Sequence, residues 1–260
     1  MAIPKKIHYC WFGGNPLPKL AKKCIKSWKK YCKDYEIVEW NENTFDLSSA
    51  PLYVRQAYEA KKWAFVSDYV RLYAMVTQGG IYMDTDVEVI KKIDDFLINQ
   101  AFSGFENEKE IPTGIMACEK DFPLFCEFLR YYDTATFIKE DGSYNLTTNV
   151  TIMTEICLKY GLQQNNTLQC VEGLTLYPKD YFCPKSYVTE KINKTKNTVT
   201  IHHFSASWRP NEQIEAAKAR RKQLKLVNRK HFWKTLPNRI IMAILGKKNY
   251  EKTKTKLRRK

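Results

Sequence analysis

Two carboxylates separated by one residue are the most chemically suggestive feature of the sequence. Asp84 and Asp86 flank Thr85 and follow a short apolar, β-prone run at residues 81–83. Strand alternation puts both acids on one side, where like charges at close range repel. A divalent cation removes that conflict, and hard oxygen ligands suit Mg²⁺ or Mn²⁺, which usually also bind substrate phosphates. The pair therefore predicts a cation site at the end of a buried strand.

A third acid and an arginine lie upstream at helical spacing. Asp68 and Arg71 are three residues apart, so both can project from one helical face into a common cleft. Taken singly, these features also fit a solvated acidic turn and an ion pair on a helix surface. The combination S-D-x-x-R followed by G-G-I-Y-x-D-x-D favours a functional site. Asp68, Arg71, Asp84 and Asp86 are therefore the candidate catalytic residues.

A helix, a glycine stop and a strand must position these residues. Apolar side chains recur at helical spacing up to Val76, and Gly79-Gly80 then ends the helix before the strand. Segments typical of strands and helices alternate around this unit, at residues 17–31, 36–40, 52–61, 122–132 and 147–160. The alternation predicts an α/β sheet with crossover helices, in which ligands bind at the carboxyl ends of strands.

Residues 198–208, TVTIHHFSASW, form the second candidate region. Val199 and Ile201 alternate as in a strand that ends at His202 and His203. Histidine is a good manganese ligand, so one of the two can complete a cation site with the acid pair. Alternation gives them opposite faces, so a single strand presents only one of them to that site.

The motifs together resemble a known family. Ser67-Asp68-x-x-Arg71 followed by Gly79-Gly80-Ile81-Tyr82-x-Asp84-x-Asp86 looks like the sugar-binding D-x-D region of glycosyltransferase family 32. It is also similar to the catalytic core of the large glucosylating toxins. The opening segment I-P-K-x-I-H-x-x-W-x-G-G and the H-H-x-x-x-S-W ending extend the resemblance over most of the first 210 residues. The resemblance implies a GT-A fold, a Rossmann-like and mostly parallel sheet flanked by helices, and a retaining, metal-dependent enzyme that uses nucleotide sugars.

The resemblance also implies roles for individual residues. Asp84 is expected near the donor ribose and sugar, with Asp86 and His203 on Mn²⁺ or Mg²⁺. His203 is favoured over His202 because it lies five residues before Trp208, where the toxins have a metal-binding carboxylate. Asp68 and Arg71 would orient donor hydroxyls. The other residues expected to bind the donor are Trp11, Thr85, Asn149, Ser207 and Trp208. Trp11 would stack on the base, and Ser207 lies beside Ala206, where the toxins have serine. Asn149 fits equally well as an N-cap or as a polar residue in the first turn of a helix.

The charge distribution separates a second region from the first. The net charge is +15, yet residues 1–210 hold 26 Lys+Arg against 25 Asp+Glu, whereas residues 211–260 hold 17 against 3. A catalytic domain at 1–210 and a basic, amphipathic helical tail at 211–260 are expected. The tail suits an anionic membrane surface. It carries no nucleic-acid recognition motif, and the near-neutral first region offers no basic groove, so no nucleic-acid partner is expected.

These features lead to one functional expectation and its alternatives. We expect a retaining, metal-dependent transferase that moves a hexose of the glucose, galactose or N-acetylgalactosamine type from a UDP-sugar to a glycan acceptor, lipid-linked, in bacterial capsular or surface polysaccharide synthesis. Scattered cysteines and the lack of an N-terminal apolar segment suggest a cytoplasmic enzyme, peripheral on the inner face of the plasma membrane. The alternatives are a GDP-mannose donor, a nucleotide-sugar hydrolase or inactive homologue, and a non-catalytic protein that binds nucleic acid or membrane through its tail.

Overall fold

The computed structural model describes residues 2–111, 114–187, 189–205 and 226. The chain divides into two units, Met1–Trp208 and Arg209–Lys260. Of the second unit the structure describes Leu226 alone, so the predicted boundary at residue 210 and the tail at 211–260 stay predictions. Among the described residues no helix is both long and apolar enough to cross a membrane.

Strands and helices alternate along the first unit, as the sequence predicts. The strands are β1 (Lys6–Cys10), β2 (Glu36–Trp40), β3 (Gly80–Met83), β4 (Val87–Val89), β5 (Ala101–Gly104), β6 (Ile115–Cys118), β7 (Gln169–Val171), β8 (Leu174–Tyr177) and β9 (Thr200–His202). The helices are α1 (Lys19–Tyr31), α2 (Leu52–Glu59), α3 (Trp63–Gln78), α4 (Pro123–Thr134), α5 (Asn149–Lys159) and α6 (Lys179–Phe182), with a 3-10 turn at Asp94–Ile98.

In the described part of the chain, seven strands form one mixed sheet in the order β2-β1-β3-β6-β5-β8-β7. Strands β1, β2 and β3 run parallel, as do β5 and β8, while β6 and β7 run opposite to their neighbours. Five of these seven strands therefore point one way. This is the Rossmann-like, mostly parallel α/β architecture of the GT-A expectation, and the fold-class prediction is confirmed.

Apolar side chains cover both faces of this sheet. One core cluster joins the sheet to α2, α3, α4 and α5, and Tyr82 belongs to it. The other contains Trp28 of α1, together with Ile81 and Met83 from the opposite face of β3. Alternation along β3 thus points Tyr82 toward α3, and it sends the following side chain on that side, Asp84, toward the same helix.

The junction between α3 and β3 depends on its two glycines. Gly79 and Gly80 have φ values of +64° and +105°, a region that suits glycine. A Cβ on Gly79 would lie 2.6 Å from the backbone N of Lys120, and one on Gly80 would lie 2.9 Å from the backbone O of Lys6. The Gly-Gly pair therefore lets the chain turn from the end of α3 into the amino end of β3 close to two neighbouring backbones.

A second, two-stranded sheet pairs β4 with β9 in antiparallel fashion. Its register places Val87 opposite His202. This pairing brings the histidine pair predicted from residues 198–208 to the turn that carries the two acids.

Candidate functional site

Asp84 follows β3 directly and is held by both its backbone and one side-chain oxygen. Its N–H donates to the carbonyl of Gly114 at 2.8 Å, and its carbonyl accepts from Val87 N at 2.9 Å, which closes a tight turn. The Asp84 Oδ1 accepts from the Tyr82 hydroxyl at 2.9 Å and lies 3.2 Å from Arg71 Nη2. These contacts leave Oδ2 as the oxygen that faces the second acid.

Asp86 is buried, and one of its side-chain oxygens is likewise held by a hydrogen bond while the other faces the histidine. Its Oδ2 accepts from the backbone N–H of Ser205 at 2.6 Å, while its Oδ1 lies 3.3 Å from His202 Nε2. Burial raises the pKa of Asp86, but the charge and hydrogen bond of His202 and the N–H of Ser205 outweigh it and hold that pKa well below its usual range. The carboxylate is therefore ionised at neutral pH.

His202 completes the cluster. Its Nε2 lies 3.9 Å from Asp84 Oδ2 as well as 3.3 Å from Asp86 Oδ1, and one ligand atom from each of the three residues falls within 4.8 Å of the others. Burial lowers the pKa of His202, but the adjacent Asp86 carboxylate raises it further, to well above its ordinary value. His202 and Asp86 are therefore electrostatically coupled.

The structure places His202, rather than the expected His203, beside the acid pair. His203 Nε2 lies 2.8 Å from Glu88 Oε2, on the side of the strand away from the acid pair. Lys23 binds the same Glu88 carboxylate at 2.9 Å. Alternation does give the two histidines opposite faces, but the face that meets the aspartates is set by the pairing of His202 with Val87 on β4.

The three side chains fit Mn²⁺ or Mg²⁺ in chemistry and arrangement. Two carboxylate oxygens and one imidazole nitrogen are a donor set that suits Mn²⁺ in particular. The remaining oxygen of each aspartate is fixed by Arg71 and Tyr82 or by Ser205, which is the role that outer-sphere hydrogen bonds have at metal centres. The structure thus brings together the predicted acid pair and one of the two predicted histidines.

Arg71 and Asp68 form a buried layer behind Asp84. Arg71 Nη2 lies 3.3 Å from Asp68 Oδ1, its Nε donates to the Ser67 carbonyl at 3.2 Å, and its guanidinium lies 4.7 Å from the centre of the Tyr82 ring. Burial lowers the pKa of Arg71, but the surrounding acids raise it above its ordinary value. Burial raises the pKa of Asp68 to about 6. Both sequence-predicted residues therefore lie behind Asp84, with Arg71 in contact with Asp68 and Asp84.

Asn149 is the first residue of α5 and is almost fully buried. Its side-chain amide donates to the carbonyl of Asp68 at 2.8 Å, and its backbone N–H donates to Asp68 Oδ2 at 3.4 Å. The N-cap of the helix is Thr148, so Asn149 is not the N-cap but a polar residue of the first turn, the other local explanation. The structure shows Asn149 as a residue that positions Asp68.

The other predicted donor-binding residues fall into two groups. Trp11 follows β1, a parallel neighbour of β3, and therefore lies at the same sheet edge as Asp84; its indole N–H donates to the carbonyl of Asn15 at 2.5 Å. Thr85 lies in the turn between the two acids and is half-buried. Ser207 and Trp208 lie outside the described residues. Contact of any of these four with a donor stays a prediction.

Sequence reasoning missed Tyr82 and Glu106, and it gave Gly114 a border of the sugar pocket and plain strand packing as equal explanations. Tyr82 looked like a core strand residue, yet alternation with Asp84 could have placed its hydroxyl at the site. Gly114 faces His202 so closely that a Cβ there would lie 2.9 Å from Nδ1 of the ring. Glu106 follows β5; burial raises its pKa, the charge of His202 lowers it, and Asp84 raises it. Glu106 lies in no recognisable motif, so no sequence signal was available for it.

The geometry agrees with the family comparison. Residues 18–103 match the family described as "Glycosyltransferase sugar-binding region containing DXD motif". This range contains Asp68, Arg71, Asp84 and Asp86, which are the residues that carried the resemblance. The match over these residues confirms the predicted resemblance.

Three proteins that the chain resembles at low sequence identity are named as glycosyltransferases or as a mannosyltransferase. "Inositol phosphoceramide mannosyltransferase 3" of Schizosaccharomyces pombe is 29% identical over 133 residues, a match that covers 50% of this chain and 37% of that protein. The chain thus spans little more than a third of this curated relative. The solved "PaToxG Glycosyltransferase" has 18% identity and a TM-score of 0.46, covering 61% of this chain and 70% of the other. A "glycosyltransferase involved in the glycosylation of the major capsid of PBCV-1" has 14% identity and a TM-score of 0.43, covering 82% and 98%. The fold assignment rests on the sheet topology described above rather than on these two likenesses.

Proposed function

We propose that this protein is a metal-dependent, retaining glycosyltransferase that moves a hexose from a UDP-sugar to a glycan acceptor. The observation that carries the proposal is the convergence of Asp84, Asp86 and His202 at the carboxyl end of β3. The two aspartates lie within residues 18–103, which match a glycosyltransferase sugar-binding family. In α/β sheets that edge is where ligands bind. Three convergent cation ligands there favour a substrate with a diphosphate.

The residues of the site have distinct proposed roles. Asp84 Oδ2, Asp86 Oδ1 and His202 Nε2 would hold Mn²⁺ or Mg²⁺, which when bound supplies positive charge against the donor diphosphate. Arg71 keeps Asp84 in place and, with Asp68, orients hydroxyl groups of the donor sugar. Trp11 offers a flat indole at the same sheet edge for stacking on the nucleobase.

The proposed reaction breaks the bond between the anomeric carbon and the phosphate oxygen and forms a bond from that carbon to an acceptor hydroxyl. The departing UDP accumulates negative charge, which a preorganised positive environment stabilises. Retention of configuration and removal of the acceptor proton by the leaving phosphate follow from the family resemblance. Within the described site, Arg71 is the permanently charged group closest to Asp84 and supports that environment.

A second donor is favoured by one specific observation. The curated relative is named a mannosyltransferase, so GDP-mannose is the alternative donor. The acid pair does not discriminate between these donors, because it addresses cation and phosphate rather than the base. We also propose that the acceptor is lipid-linked and that the enzyme works at the inner face of a bacterial plasma membrane in capsular or surface polysaccharide synthesis. Support for this location comes from the 17 basic residues in 211–260.

The test is nucleotide release from a panel of UDP-sugars and GDP-mannose, with Mn²⁺ and with EDTA. We expect release from one donor, lost in EDTA and reduced at least about 100-fold in Asp86→Asn and His202→Ala. His203→Ala is the matched control, since this neighbouring histidine faces Glu88 and should keep most of the activity. Release from GDP-mannose alone would replace the donor, and equal loss in the two histidine variants would contradict the assigned ligand. Absence of release and of metal-dependent nucleotide binding would refute the transferase proposal.

A further inference from the structure

Helix α1 presents a continuous row of lysines on its exposed side. Its 13 residues include no acid, and Ala21, Cys24 and Trp28 are the buried positions that fasten it to the protein. The intervening exposed positions recur three or four residues apart, so their side chains share one face of a helix about 20 Å long. They are Lys19, Lys22, Lys23, Lys26, Lys29 and Lys30, and Lys33 continues the row just beyond the helix.

Little negative charge offsets this row. Among the described residues, Lys23 is the α1 lysine with a recorded carboxylate partner, Glu88 at 2.9 Å. Since residues 1–210 hold 26 basic and 25 acidic residues, concentrating six of the basic ones on α1 leaves the rest of this region net negative. The first region is therefore electrically polarised although it is close to neutral overall.

The end of the row borders a surface cavity. Lys29 and Lys33 line an opening of about 410 Å³, together with Tyr9, Tyr35, Ile37 and one carboxylate, Glu39, which accepts a hydrogen bond from the Tyr9 hydroxyl at 2.5 Å. Two ammonium groups over a partly aromatic wall can accommodate an anionic group that carries an apolar stem. A lipid headgroup with its glycerol backbone has that composition.

We propose that the lysine row of α1 docks on the anionic headgroups of a lipid bilayer. A straight helix with charge along its whole exposed face matches a planar array of negative headgroups. Lysines suit such an array as point charges, and α1 lacks arginine, the residue that binds guanine and phosphate in bidentate fashion in nucleic-acid recognition. The lysine row belongs to the first unit, and its docking on a bilayer does not depend on the transferase proposal.

The position of the row gives the contact a consequence for the site. Lys23 is joined through Glu88 to His203, the neighbour of His202. Docking through α1 would therefore hold the bilayer beside the sheet edge that carries the cation ligands. A headgroup-linked acceptor would then reach the site without leaving the membrane.

The test is vesicle binding by the full chain, with 3:1 phosphatidylcholine and phosphatidylglycerol compared with phosphatidylcholine alone. The variant Lys22→Gln/Lys26→Gln/Lys29→Gln/Lys33→Gln removes four charges from the row. The matched control Lys61→Gln/Lys109→Gln/Lys139→Gln/Lys159→Gln removes four exposed charges elsewhere. Both retain the tail, and glutamine preserves helix propensity.

We expect anionic vesicles to bind the wild-type chain and the control with similar affinity and the α1 variant at least about tenfold more weakly. The upper limit is several-hundredfold, since each surface lysine raises affinity about fivefold. Equal losses in the two variants, at matched melting temperatures, would overturn the proposal, as would equal binding to neutral vesicles. It would also be overturned if the α1 variant lost affinity for duplex DNA more than for vesicles.

Discussion

Replacing Gly114 with alanine tests the cation site through a residue that is not one of its ligands. The added Cβ would lie 2.9 Å from Nδ1, 3.1 Å from Cε1 and 3.2 Å from Cγ of His202, whereas ordinary contacts are 3.4–4 Å. The ring must therefore move by about half an ångström, against Phe204, whose ring centre is 4.2 Å away. Displacement of a ligand by this much should weaken Mn²⁺ binding about 10- to 100-fold, equivalent to about 1.4–2.7 kcal/mol.

The assay is Mn²⁺ titration of the purified variant by calorimetry, with donor turnover followed over the same concentrations. We expect the concentration of Mn²⁺ for half-maximal turnover to rise, and turnover at saturating Mn²⁺ to recover most of the wild-type value. Gly104→Ala is the matched control, because its Cβ would lie 2.9 Å from the ring of Phe182 rather than from His202. That variant should lose about 1–3 kcal/mol of stability from overpacking and keep its Mn²⁺ affinity. Unchanged affinity in Gly114→Ala, or the same loss in both variants, would refute the reasoning.

Three further predictions concern the residues behind the site. His8 is buried and neutral, and burial lowers its pKa to about 4. As the pH falls, the unfolded state binds the proton of this histidine first, so the free energy of unfolding is full above pH 6.5 and decreases toward pH 4. In urea titrations, His8→Gln should lose about 2 kcal/mol less of that free energy than the wild type between pH 7.5 and 5. Equal slopes would contradict it. Arg71→Met leaves the carboxylates of Asp68 and Asp84 without their ion pairs in a buried layer, and it should lower the free energy of unfolding by about 3–5 kcal/mol. In a double-mutant cycle, Asp68→Asn should restore part of that loss. A loss below about 1 kcal/mol would show that the ion pairs are not needed for stability. Tyr82→Phe removes the 2.9 Å hydrogen bond to Asp84. It should lower the free energy of unfolding by about 1 kcal/mol and turnover about tenfold. Unchanged turnover at saturating Mn²⁺ would show that the hydroxyl contributes to stability alone.

Local patterns were sufficient for the central unit. The apolar periodicity of α3, the Gly79-Gly80 stop and the short run before Asp84 act over a few residues, and the structure has them at Trp63–Gln78 and Gly80–Met83. Strand β2 was predicted with the same bounds, Glu36–Trp40. Helix ends differed where a proline intervened: α1 begins at Lys19 because Pro18 occupies its N-cap, two residues later than predicted.

Long-range geometry was not available from the sequence. Alternation states that His202 and His203 face opposite ways, but pairing with β4 decides which one meets the acids, and that partner lies far away in the chain. The short strand β7 (Gln169–Val171) carries glutamine and cysteine, exposed or half-buried at an edge of the sheet, so it gave no apolar pattern. The contact between Gly114 and His202 likewise arises from two segments that share no motif.

The pairing of β4 with β9 also sets the order in which the site can assemble. The hydrogen bond between Ser205 and Asp86 joins residues 119 positions apart, so it belongs to the late, non-local contacts whose loop-closure entropy slows folding. At a synthesis rate of about 5–20 residues per second, the acid pair leaves the ribosome about 6–24 s before His202. During that interval the nascent chain can pair β1, β2, β3, β5 and β6, and it can place Arg71 against Asp84, but it has no third ligand. The three-residue cluster is therefore complete only when the chain extends through β9. A protein truncated before residue 200 would keep those strands but lack His202.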